Sequence, residues 1–292
     1  MHLFSYEEMA DLSKSWLIET DELERELSAP DFVIIDASWN MPDEGKAARA
    51  EYLEEHIPGA LFFDIDEIAD TKNPLPHMLP PPEKFSSRMR AMGIGDGSRI
   101  VIYDNKGLFS AARVWWTFRV MGVEDVSVLN GGLPKWKLEG RPLDSGEPTA
   151  RSSRHFTARR NLDLVRDVDD VKAVLKDKSA EIVDARSPDR FTGKAEEPRP
   201  GLRSGHIPGA HNLPFQHLLN TDGTLKPSPE LERIFQDAGV DLSKPVVTSC
   251  GSGITASILA LALAEIGHRR LAVYDGSWAE WGADQSLPVE TG

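Results

Sequence analysis

The chain repeats one order of motifs in its two halves, and no other feature of the sequence limits the fold as tightly. In the first half an apolar, β-branched run ends in an acid at Ile34-Ile35-Asp36-Ala37. His56-Ile57-Pro58-Gly59-Ala60 follows, then a second apolar run over residues 100–104, then the turn Leu129-Asn130-Gly131-Gly132. The second half answers with Ile182-Val183-Asp184-Ala185, His206-Ile207-Pro208-Gly209-Ala210, residues 246–250, and Val273-Tyr274-Asp275-Gly276-Ser277. The four matches keep their order and are offset by 145 to 150 residues throughout. Short apolar runs of this kind read as buried strands, and helical stretches lie between them (residues 111–121 and 255–266). The sequence therefore predicts a duplicated α/β unit, each copy a mostly parallel sheet with helices on both faces. An N-terminal helix is expected within residues 1–30, ending at Ser28-Ala29-Pro30. Residues 141–160, with Pro, Gly, Ser and scattered arginines, read as a solvated linker. The units are expected at 10–145 and 162–292, with 146–161 between them.

The halves differ where chemistry is expected. The second apolar run ends in Asp104 in the first half and in Cys250 in the second, and Cys250 is the only cysteine of the 292 residues. It opens Cys250-Gly251-Ser252-Gly253-Ile254-Thr255, which leads into an apolar helix. A strand, a glycine-rich turn and a helix together aim successive backbone N–H groups into one small bowl at a helix N-terminus. Such a bowl favours an anion, and so favours the charged form of a thiol at its edge. Ligands of parallel α/β sheets sit at the carboxyl ends of strands, where Cys250 falls.

Composition removes several classes of function. Hydrophobic residues at 40% and charged residues at 27% are typical of a globular domain. No apolar run approaches the ~18 residues of a membrane span. A net charge of −14 opposes binding to nucleic acid or to an anionic membrane. One cysteine allows no internal disulfide and no cysteine-rich zinc site. The acidic N-terminus resembles neither a secretory signal nor a transit peptide, so the cytoplasm is the expected compartment.

With these motifs in hand, the chain resembles the tandem-domain sulfurtransferases, the rhodanese and 3-mercaptopyruvate sulfurtransferase family. The resemblance covers nearly the whole chain. It rests on the two His-Ile-Pro-Gly-Ala segments, the Asn130-Gly131-Gly132 and Asp275-Gly276-Ser277 turns, and a cysteine loop found only in the second half. It implies two rhodanese-like domains, the first catalytically silent, with Asp104 in the place of the cysteine. Within the family, thiosulfate enzymes carry Cys-Arg-Lys-Gly-Val-Thr and mercaptopyruvate enzymes Cys-Gly-Ser-Gly-Val-Thr. This loop matches the second pattern except for Ile254.

The resemblance implies a role for each site residue. Cys250 is the nucleophile and carries sulfur as a persulfide. Ser252, joined by His77 and Asp66 from the first domain, polarises the substrate ketone. Arg190 and Arg199 hold the substrate carboxylate, a task suited to the planar guanidinium fork. Gly251, Gly253, Ile254 and Thr255 complete the substrate-binding loop. The expected partners are 3-mercaptopyruvate and an acceptor, either cyanide or a thiol such as thioredoxin or a small thiol; no metal or organic cofactor is expected. His56, His206, Asp36 and Asp184 occur in both halves and so read as fold determinants, Arg186 as structural, and Trp115 and Trp116 as core. The nearest alternative is a thiosulfate:cyanide sulfurtransferase, against which the loop lacks the Arg-Lys pair. A phosphatase would need an arginine six residues after the cysteine, where Ala256 stands. A binding module without turnover is the third class.

Overall fold

Ten short strands among the described residues sort into two sheets with one shared topology. A computed structural model describes residues 15–41 and 44–292. In chain order the first half contains β1 (Leu17–Ile18), α1 (Thr20–Glu26), β2 (Phe32–Asp36), α2 (Ala48–Glu54), β3 (Leu61–Phe62) and α3 (Ile65–Ile68). It continues with α4 (Pro82–Ala91), β4 (Arg99–Tyr103), α5 (Ala111–Val120), β5 (Val126–Leu129) and α6 (Gly132–Leu138). The second half contains β6 (Val165–Arg166), α7 (Val168–Asp177), β7 (Glu181–Asp184), α8 (Pro188–Phe191) and β8 (His211–Asn212). It ends with α9 (Ser228–Asp237), β9 (Val246–Ser249), α10 (Ala256–Glu265), β10 (Leu271–Tyr274) and α11 (Ser277–Trp281). The strand orders are β1-β5-β4-β2-β3 and β6-β10-β9-β7-β8, and replacing each strand by its repeat partner converts one into the other.

Every strand pairing is parallel. The central strands β2, β9 and β10 are buried at every position, as expected of a parallel sheet covered on both faces. The motif pairs also hold equivalent places. His56 bridges Asp144, and His206 bridges Glu290. Each ring nitrogen Nδ1 meets a backbone carbonyl, that of Tyr52 at 2.7 Å and that of Phe191 at 2.8 Å. Both histidines are buried and serve the fold, as their duplication suggests.

Two helices are apolar nearly all round, α5 and α10, and they pack against each other. One hydrophobic core therefore runs through both halves, with Trp115 and Trp116 on one side and Ile258 to Leu263 on the other. The two helices end alike: Val123 N–H bonds Phe118 O at 3.0 Å, and His268 N–H bonds Leu263 O at 2.9 Å, the wide loop of a helix C-terminal cap. Packing α5 on α10 brings the Arg113 side chain, near the start of α5, to the Gly253 turn that precedes α10, and the two helices follow Asp104 and Cys250.

Two expectations need revision. The expected N-terminal helix is the short α1 preceded by strand β1, because Leu17 and Ile18 find a free edge beside β5. The expected domain start at residue 10 lies outside the described residues. Residues 145–161 have no regular structure but are not loose, because Phe156 is buried against Phe85. Arg90 donates to Phe156 O, and Asn161 N–H bonds Val120 O at 2.7 Å. Arg154, Arg159 and Arg160 are exposed along this path.

Candidate active site

Cys250 follows β9 directly and is buried, with 2% of its surface exposed. Its backbone is tied to the turn before α11. Cys250 N–H donates to Ser277 Oγ at 3.3 Å, and its carbonyl accepts from Trp278 N–H at 2.9 Å. Ala279 N–H holds Gly251 O at 2.9 Å. The N–H groups of Gly251 through Thr255 donate to no acceptor among the described residues.

The first half shows what such a bowl holds. Asp104, the counterpart of Cys250, is fully buried, and its carboxylate accepts three backbone N–H groups: Lys106 at 2.9 Å, Phe109 at 2.7 Å and Ala111 at 2.9 Å. By the repeat offset, 146 at the strand end and 145 in the helix, these correspond to Ser252, Ile254 and Ala256. The same fold element thus encloses an anion in one copy and presents a sulfur atom in the other.

Two cations border the loop. A Cβ placed on Gly251 would lie 3.1 Å from Arg190 Nη2 and 3.7 Å from Arg199 Nη1, so both guanidinium groups reach the cysteine turn. Arg190 is aimed by Glu197, whose side chain is 1% exposed. Glu197 accepts from Arg190 Nε at 3.1 Å and Nη2 at 2.5 Å, and from Arg186 Nη1 at 2.8 Å. Arg186 is buried in turn, paired with Asp184 at 2.7 Å and laid over the Trp278 ring at 4.3 Å, which is a structural role. Burial pulls Arg199 below the usual arginine range, and Arg190 adds to this while Cys250 and Glu197 oppose it.

Asp66 and His77 come from the first half, on α3 and the loop before α4. His77 Nδ1 lies 2.8 Å from Asp66 Oδ1, a close contact that is off the line of a hydrogen bond. Trp39 Nε1 donates to Asp66 Oδ2 at 2.9 Å, and its ring packs edge-on to His77. Asp66 is held below the usual carboxylate range, chiefly by His77. The expected arrangement joins His77 to Ser252, but the structure places Arg199 between them. Arg199 Nη2 is 3.3 Å from Ser252 Oγ and 3.4 Å from His77 Nε2, and among the described residues no hydrogen bond links serine and histidine directly. An arginine with several donors outcompetes a hydroxyl for the nearest lone pairs.

Of the remaining expected residues, Gly253 adopts φ +80°, the left-handed region, which a turn into α10 requires here. Ile254 turns its side chain into the shared core, so only its backbone faces the loop. Thr255 occupies the N-cap of α10 without a side-chain capping bond. Sequence reasoning missed Glu197, Trp39, and the buried pair Arg113–Asp275 at 2.6 Å, which joins α5 to the end of β10. Asp275 carried a signal, since it stands in the repeated turn where the first half has Asn130. Among the described residues, no cluster of His, Cys, Asp or Glu could hold a metal ion, and no helix is long and apolar enough to cross a membrane.

The fold and loop define a class, a tandem α/β protein with one cysteine at an anion-binding strand-to-helix turn. The rhodanese-like domain matches this chain twice, over residues 19–139 and 167–284. The 3-mercaptopyruvate sulfurtransferase of Escherichia coli K12 is 44% identical, with 96% of this chain and 99% of the relative covered. An Arabidopsis thaliana protein, thiosulfate/3-mercaptopyruvate sulfurtransferase 1, mitochondrial, is 43% identical over 94% of this chain and 78% of its own length. The crystal structure of SseA from Escherichia coli, a 3-mercaptopyruvate sulfotransferase, superposes with a TM-score of 0.84 at 41% identity, covering 91% of this chain and all of that one. The chain belongs to the rhodanese-like domain family, in its tandem-domain sulfurtransferase branch.

Proposed function

We propose that the protein transfers sulfur from 3-mercaptopyruvate through a Cys250 persulfide to a thiol or cyanide, releasing pyruvate. Family membership and the named relatives support the sulfurtransferase activity. The observation that carries the site assignment is the pair of loops: the copy bearing Asp104 encloses a carboxylate, and the copy bearing Cys250 has free amides with two guanidinium groups beside them.

In the first half-reaction Arg190 and Arg199 hold the substrate carboxylate. The Cys250 thiolate attacks the substrate sulfur, forming the S–S bond as the S–C bond breaks. The electron pair of that bond leaves with the carbon fragment as pyruvate enolate, whose charge spreads onto the carbonyl oxygen. Ser252 and Arg199 face that oxygen, His77 and Asp66 orient them, and protonation of the enolate carbon gives pyruvate. In the second half-reaction the acceptor attacks the outer sulfur and the thiolate is restored. Loop amides stabilise the charge in both steps, so the chemistry draws on side chains and backbone. With one cysteine the chain holds no internal thiol to resolve the persulfide, and an external thiol or cyanide takes that part.

On this reading residues 10–145 form the silent domain, 146–161 the linker and 162–292 the catalytic domain. We place the protein in the cytoplasm, where a reactive thiol stays reduced; the Arabidopsis relative carries the word mitochondrial in its name.

The test is kcat/KM for 3-mercaptopyruvate and for thiosulfate, with cyanide as the common acceptor, on wild type and Cys250→Ser. The expected result is a strong preference for mercaptopyruvate that disappears with Cys250. A preference for thiosulfate overturns the donor assignment. Activity that survives Cys250→Ser overturns the persulfide route.

A further inference from the structure

We propose that Arg113, on helix α5 of the first half, is a positioning residue that, through its buried pair with Asp275, fixes His77 relative to Cys250. The proposal rests on the reading of His77 given above. It concerns a residue far from the cysteine loop in sequence and outside the expected site.

Arg113 is 2% exposed, and its Nη2 donates both to His77 O and to Asp275 Oδ1. The other oxygen of Asp275 accepts Leu79 N–H at 2.9 Å. The ion pair therefore grips the main chain on both sides of His77-Met78-Leu79, one end from α5 and the other from the end of β10. His77 needs such a grip because it sits at φ +60°, a conformation that non-glycine residues keep only where their surroundings over-determine it. The second arm of the guanidinium points elsewhere. Arg113 Nη1 is buried without a hydrogen-bond partner among the described residues, and a Cβ on Gly253 would come within 2.5 Å of it. The guanidinium plane lies over the Trp116 ring at 4.5 Å. One rigid side chain thus touches the histidine segment, the second half and the cysteine turn.

Stability alone does not explain this pair. Two buried charges gain little over apolar residues of equal volume, because desolvation offsets their attraction. What the pair supplies is registry across the junction of the two halves. A lysine could keep the charge on Asp275 but not the planar fork that also reaches His77 O.

The experiment separates the half-reactions. Persulfide formation is followed in single turnovers with 3-mercaptopyruvate, and its discharge to cyanide is followed on desalted, persulfide-loaded enzyme. Arg113→Lys should slow formation by about 10- to 100-fold, the usual effect of a misplacement near 1 Å, and leave discharge within about threefold of wild type. A double-mutant cycle with His77→Ala decides the mechanism. If Arg113 acts through His77, the double variant is no more than about threefold slower than His77→Ala alone. Multiplying effects, or equal slowing of both half-reactions, would overturn the proposal and leave the reading of His77 intact. A His77→Ala enzyme of normal rate would instead overturn that reading, and this proposal with it. Asp275→Asn keeps an acceptor for Leu79 N–H while removing the charge that aims Arg113. It enters the same cycle under the same criteria, and decides it should Arg113→Lys not fold.

Discussion

Replacing Glu197 by glutamine should loosen Arg190, one arm of the proposed carboxylate clamp, without touching the cysteine. The side chain is 1% exposed and its two oxygens accept three bonds from two arginines. Glutamine offers one acceptor oxygen and turns an NH2 donor toward a guanidinium donor, so at least one charged bond is lost and one contact becomes repulsive. Breaking a buried pair costs about 3–5 kcal/mol when a charge is left alone in the interior. Here the cost is reduced on both sides. Arg186 keeps Asp184 at 2.7 Å, and Arg190 is 24% exposed and can turn to water. The expected loss is about 2–3 kcal/mol, which for a chain of this size lowers Tm by about 3–5 °C. Arg190 would then sample other rotamers, and KM for 3-mercaptopyruvate should rise by about 3- to 10-fold, while kcat falls less. Thermal melts and steady-state kinetics on the purified variant check both numbers. A Tm within about 1 °C of wild type together with an unchanged KM would refute the idea that Glu197 aims Arg190.

Three further outcomes follow from the same geometry. Gly253→Ala adds a Cβ at φ +80° and 2.5 Å from Arg113 Nη1, so activity should fall by at least about tenfold while the melt shifts modestly; normal kinetics would show that the turn can relax. Asp104→Ala leaves three N–H groups, one buried and two part-buried, without their acceptor and should cost about 2–3 kcal/mol, read from urea unfolding, with kcat within about twofold of wild type well below Tm. Burial pushes the Asp36 carboxyl up to about 6. The native state then binds this proton more tightly than the unfolded chain does. The stabilisation is full below about pH 4 and is lost as pH rises through 6, by about 3 kcal/mol in all. The stability difference between wild type and Asp36→Asn should follow that window, and a difference independent of pH would contradict it.

The elements that the sequence makes legible are those in which one residue type has one physical use. Strands such as Phe32–Asp36 and Val246–Ser249 are β-branched and buried on both faces, so a short apolar run suffices to mark them. Gly253 marks a turn because other residues resist its φ of +80°. The duplication adds a control, since a residue present in both copies, such as His56 and His206, belongs to the fold before it belongs to chemistry. What stays hidden depends on the third dimension. Glu197 looks like any loop acid until Arg186 and Arg190 close on it, and Arg113 looks like a charge in an apolar helix until α5 packs against α10 and brings Asp275 to it. The bridging place of Arg199 is hidden for the same reason. The family resemblance implies that Ser252 and His77 belong together, but it does not report which cation stands between them.

The half without a cysteine has a filled bowl of its own. With Asp104 in place of the cysteine, the bowl carries a covalently attached anion that satisfies three amides permanently, so the first copy keeps the fold and gives up the place where a sulfur could react. Its contribution moves to the junction. His77 and Arg113 come from the first half, with Asp66 and Trp39 behind the histidine; His77 meets Arg199 of the second half, and Arg113 pairs with its Asp275. If the second half alone carried the proposed reaction, these contacts would be expendable. Because His77 reaches its strained conformation between α5 and β10, an isolated second half should bind sulfur donors poorly even with its loop intact. A site divided in this way makes the packing of α5 on α10 a condition for activity as well as for stability, and it gives a reason for a duplicated chain to retain a copy without a cysteine.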